Sequence, residues 1–101
     1  MAFEDILGKV KETASKKAES LDMKISESAL SSIAKDIETH RDLVEGAVIE
    51  KAEKEYDIYE STEKLIEVAS THAKEDNREI IFEKDIMKAI RNICPTYWPF
   101  C

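Results

Sequence analysis

AKEDNREIIFEKDIMKAI, running from Ala73 to Ile90, is the stretch whose reading decides the fold. Its first residues close an apolar helical stripe, and Asn77 suits the helix end because its short side chain tolerates the left-handed backbone of a C-terminal cap. Ile80-Ile81-Phe82 is then a short β-prone run. Asp85 opens a last helix that turns Ile86, Met87, Ile90 and Ile93 inward, and Pro95 stops it because a proline cannot continue the backbone ladder.

Upstream of this stretch the helical period persists. Val44, Val48, Ala52, Tyr56, Tyr59, Ile66, Ala69 and Ala73 give a narrow seam, which predicts a long helix. Before it, Ser26 is a suitable N-cap for a helix that buries Leu30, Ile33, Ala34 and Ile37. Two readings of the join are open: a break near Gly46, or one continuous helix from Ser26 to Glu55 that is broken near Asp57 to Ser61. At the start of the chain, Phe3, Ile6, Leu7, Val10, Ala14 and Leu21 form one stripe of an amphipathic helix over residues 2–20.

Composition agrees with an all-α protein. In 101 residues there are two glycines and two prolines, with both prolines in the last seven positions, so little interrupts helix formation. The length allows one domain, and a helical chain this short hides a low fraction of its apolar area without a partner. The net charge of −7 excludes a surface that is basic throughout, and the acidic excess is local. Residues 25–77 hold 6 basic and 14 acidic side chains, against 4 and 3 in residues 78–101. No apolar run approaches the ~18 residues of a membrane span and no secretory leader pattern opens the chain, so a cytoplasmic protein is expected.

Ala73, Arg78, Ile81, Asp85, Ile86 and Ala89 fall in the order and spacing of the histone-fold family, and the chain resembles the archaeal and other prokaryotic members. The resemblance implies a histone fold over residues 26–93, made of a short helix near 27–39, a long central helix from about Gly46, and a short last helix. Residues 2–20 are then an added N-terminal helix and 94–101 an aromatic tail. It also implies a buried ion pair between Arg78 and Asp85, seven residues apart. Such a pair fixes the loop against the last helix more than it stabilises, because desolvation offsets much of the attraction. Family members clasp head to tail as dimers, the first loop of one chain pairing with the second loop of the other, so a homodimer is the expectation.

In that family, duplex DNA lies along paired loops and helix N-termini, held through its phosphates without base reading. The candidates here are Lys9, Lys16, Lys17, Lys24, Arg41, Lys74, Arg78 and Lys84. The pattern is incomplete: Glu79 stands where the family commonly has lysine, and Ile80 where it often has threonine. Phe3, Ile6, Leu7 and Val10 of the added helix, with Tyr97, Trp98 and Phe100 of the tail, are candidates for contacts between dimers in a tetramer. The opposing reading is that helix and tail pack on their own domain. Cys94 and Cys101 are too few for a secreted disulfide framework, and free thiols are expected.

No glycine-rich phosphate loop and no paired acid/base spacing occurs, so neither catalysis nor a cofactor is expected. His40 and His72 lack metal-ligand spacing. The expected function is that of a nucleoid-associated architectural protein, which binds and bends duplex DNA as a dimer or tetramer. The alternative is an acidic histone-fold assembly module that binds protein partners and not DNA.

Overall fold

The computed structural model describes residues 3–50 and 58–100, and for residues 41–50 the backbone alone. The protein is mostly helical. In chain order the described elements are α1 (Phe3–Ser20), β1 (Lys24–Ile25), α2 (Glu27–Glu50), α3 (Ile58–Glu75), β2 (Ile80–Ile81) and α4 (Glu83–Ile93). The two strands pair in parallel, Lys24 opposite Ile80 and Ile25 opposite Ile81. The chain leaves this pair along α2 and returns to it along α3.

A helix–strand–helix unit is therefore present twice. Each first helix ends in the same way: Met23 N–H donates to Ala18 C=O at 2.8 Å, and Arg78 N–H to Ala73 C=O at 2.9 Å. This is the six-residue hydrogen bond that closes a helix through a left-handed residue. That residue is Asp22 (φ 57°) in one unit and Asn77 (φ 58°) in the other, two side chains that tolerate the conformation. The pairing that the family resemblance assigns to loops of two chains is made here within one.

The core lies where the two units face each other. Ile6, Val10, Ala14 and Ala18, at every fourth position of α1, are buried against the other helices. α2 supplies Ala29, Leu30, Ile33, Ala34 and Ile37, α3 supplies Leu65, Ile66, Ala69 and Ala73, and α4 supplies Ile86, Ala89 and Ile93. Small residues at the inward positions of α1 and α3 let their backbones approach closely, which fits their close packing.

Several expectations are corrected. α2 runs unbroken through residues 39–46, so neither the short helix ending near 39 nor a start at Gly46 is found. One straight helix from residue 27 to 75 would be about 74 Å long at the usual rise, yet the molecule's longest extent is 43 Å. Two units folded against each other explain the difference. Met87 and Tyr59, expected inward, are about half exposed, because Met87 falls on the outer row of α4 and Tyr59 at the open start of α3. The side chains of Val44 and Val48, and residues Ala52 and Tyr56, lie outside the described residues.

The helix at the start of the chain is not an appendage. Ile6 and Val10, candidates for a contact between dimers, are fully buried in the chain's own core, with Phe3 and Leu7 packed partly against it. The tail is corrected likewise: Trp98 and Phe100 are buried at the core, and only Tyr97 faces out. Cys94, expected as a free thiol, is disulfide-bonded.

Candidate functional site

The strand pair and the turns that flank it collect the charged side chains on which the sequence reading depends. Arg78 leaves the end of α3 and meets Asp85 in the first turn of α4, just past β2. Nη1 donates to Asp85 Oδ2 at 2.7 Å and Nη2 to Oδ1 at 2.8 Å, a two-pronged contact. Nη2 also donates to Asp76 Oδ2 at 2.9 Å and Nη1 to the Ile80 carbonyl at 3.0 Å. The guanidinium lies over the Phe82 ring, 4.6 Å from its centroid.

Asp85 is buried and works in two directions. Its Oδ2 also accepts the Phe82 amide at 2.8 Å, satisfying a donor that the start of α4 would otherwise leave unpaired. Burial pushes its carboxyl up, but the Arg78 donors and the Phe82 amide outweigh burial and hold it below the ordinary carboxylate range. Asp85, then Asp76, hold Arg78 more firmly charged than usual, and Arg78 in turn lowers Asp76.

These contacts leave Arg78 little capacity for a phosphate. The other candidates are placed as follows. Lys17 is in the last turn of α1, Lys24 is exposed on β1, Lys74 is exposed in the last turn of α3, and Lys84 is exposed in the first turn of α4. Lys84 Nζ is 3.7 Å from Asp76 Oδ2. Residues 17–24 and 74–85 together hold five cationic side chains and seven carboxylates. The paired-loop end is thus acidic, unlike a phosphate-binding edge.

The remaining candidates are not at this end. Lys9 lies about 12 Å farther back along α1 at the helical rise. Lys16 is tied to Glu12 at 3.2 Å, and with Lys17 it lines an open groove shared with Glu12, Tyr59 and Glu63. Arg41, expected in a loop, lies within α2, and its side chain is outside the described residues.

A row that the sequence reading did not single out runs along α4. Lys84, Met87, Lys88 and Arg91 stand at helical spacing on its outer face, and all are exposed. Their i, i+3, i+4, i+7 spacing was the available signal. Met87, expected inward, is instead part of this exposed row. Ile80 and Phe82, on and just after β2, add exposed apolar surface to the same segment. Among the described residues no group of three metal-ligating side chains occurs, and no helix is long and apolar enough to cross a membrane.

No family model, curated protein or solved structure matches this chain.

Proposed function

We propose that this chain is a histone-type assembly module that binds a protein partner rather than a DNA-wrapping protein. The observation that carries the proposal is the acidic strand-pair end, where Arg78 is held by Asp85 and Asp76 and five cations meet seven carboxylates. The resemblance over Ala73 to Ile90 supports the histone-type part, as does a pair of helix–strand–helix units joined through parallel strands. Ile80, Phe82 and Met87, exposed on one segment, have the aromatic and methionine character found at protein interfaces. A second copy, as in the homodimer expected from the family, is one such partner. A mobility-shift assay on random duplex DNA at low salt tests this reading, with no shift expected. A shift that weakens steeply as salt rises would overturn it, because that dependence is the mark of phosphate binding.

The second reading, a DNA-binding architectural protein, is favoured by one observation, the outer row Lys84, Lys88 and Arg91 on α4. It requires a shift at low salt that Lys84→Ala, Lys88→Ala and Arg91→Ala together abolish. Light scattering with and without duplex DNA then separates monomer, homodimer and tetramer, and binder from non-binder.

A further inference from the structure

The C-terminal tail touches three helices, α2 and α3 through side chains and α4 through its backbone. Trp98 Nε1 donates to Asp36 Oδ2 on α2 at 2.6 Å, the Tyr97 ring lies 4.9 Å from Lys64 Nζ on α3, and the Tyr97 amide donates to the Ile93 carbonyl of α4 at 2.8 Å. Trp98 is fully buried, and Phe100 meets it edge to face with centroids 5.2 Å apart. No regular element secures residues 95–100. Their covalent tether is at Cys94, which is half-buried and disulfide-bonded; Cys101 is the chain's only other cysteine.

We propose that this tail is a redox latch: with the Cys94 disulfide intact the Trp98 and Phe100 plug stays seated, and a thiol reductant releases it. The chemistry is thiol–disulfide exchange with a dithiol. One thiolate of the dithiol attacks a sulfur of the disulfide, and its second thiol resolves the mixed disulfide. The protein S–S bond breaks, each cysteine sulfur ends with a proton, and the dithiol becomes its own disulfide. Partial exposure of Cys94 gives the attacking thiolate access. Release uncovers the apolar seat between α2, α3 and α4 and removes the Trp98 donor from Asp36, whose other oxygen lies 3.3 Å from His40 Nδ1. The rest of the core does not depend on the tail for its strand pair or for the Arg78–Asp85 contact.

Trp98 is the only tryptophan, so its fluorescence reports the latch alone. The full chain is oxidised, then treated with dithiothreitol. Thiol titration counts the sulfhydryls, acrylamide quenching reads the exposure of Trp98, and far-ultraviolet circular dichroism reads helicity. The expected result is two new thiols, a rise of about threefold or more in the quenching constant with a red-shifted emission, and retained helicity, as in a local opening. Cys94→Ser should show the released signature without reductant. Unchanged quenching with both thiols free would overturn the proposal. So would loss of helicity together with the tail, which would make the disulfide a staple of the whole fold, or failure of an oxidant to form the bond.

Discussion

The two helix–strand–helix units close their first helix in the same way with different side chains, the second turn holding one more residue before its strand. Where the first unit turns from α1 into β1 it places Met23, which is buried, and the second places Arg78 at the matching hydrogen-bonded position. The helix starts are complementary too. Ser26 Oγ accepts the Ala29 amide at 3.1 Å, while Asp85, at the position matching Ala29, accepts the amide of Phe82, at the position matching Ser26. Each unit thus makes one half of the reciprocal capping arrangement. The apolar unit is held by burial and the charged unit by directed contacts. Equal geometry does not require equal chemistry, but the two solutions should fail differently.

The largest expected effect is in the charged unit. Asp85→Ala leaves Arg78 beside the core without its main partner and frees the Phe82 amide, and should cost about 3 kcal/mol in chemical denaturation. Adding Arg78→Met, which copies Met23 of the first unit, should bring the loss back to about 1 kcal/mol, because an apolar replacement no longer leaves a charge unpaired. If the double variant is as unstable as the single one, the two units are not interchangeable solutions.

Acid should act on the same unit alone. Asp85 titrates lower in the folded chain than in the unfolded one, so its contribution is fully present above the unfolded carboxylate value, near ~4. The contribution is lost as pH falls through the folded value below that. Stability measured between neutral pH and about pH 3 should therefore decline more steeply for the native chain than for the double variant. Parallel declines would show that other carboxylates set the acid response.

A third difference lies in the helices that precede the turns. α1 places Leu7 eleven residues before Ala18, packed partly against the core, whereas α3 places Thr62 eleven before Ala73, buried and, among the described residues, with no hydrogen-bond partner for its Oγ1. Thr62→Val keeps the shape and removes the unpaired hydroxyl, so it should raise stability by about 1–2 kcal/mol. An unchanged or lower midpoint would mean that the hydroxyl finds a partner in solution.

The charged unit was also the legible one. Arg78, Asp85 and Ala89 carry a pattern of charge and spacing, and Asn77 marks the helix end, so the loop, strand and last helix were readable together. The first unit has no such signature: Met23, Ile25 and a two-residue strand look like any apolar junction. Without it the sequence presents α1 as an addition, although Ala18 and Asp22 repeat the Ala73 and Asn77 pattern nearly unchanged. The sequence leaves the extent of α2 between two readings, and the continuous one from Ser26 is the one that α2 follows past Gly46 to Glu50, because helix-forming residues run through 39–46 and one glycine does not end a helix. At the candidate site, composition already showed the acidic excess and Glu79. Which cations were neutralised depended on contacts such as Arg78 with Asp76, two residues apart, which no periodicity reveals.

The smallest expected effect tests the first unit. Ser26→Ala removes the hydroxyl that accepts the Ala29 amide and should lower stability by about 1 kcal/mol, with the strand pair intact. The matching change in the second unit, Phe82→Ser, supplies a hydroxyl where none exists and completes the reciprocal cap with Asp85. It also gives up the ring that Arg78 covers, so the gain from the cap and the loss of the cation–π contact should leave stability within about 1 kcal/mol of the native chain. Hydrogen exchange at the first turn of α2 and of α4 separates these terms. Ser26→Ala should speed exchange at Ala29 alone, and Phe82→Ser should slow it at Asp85. If Ser26→Ala instead loosens both helix starts, the parallel strands transmit the defect, and the two units behave as one.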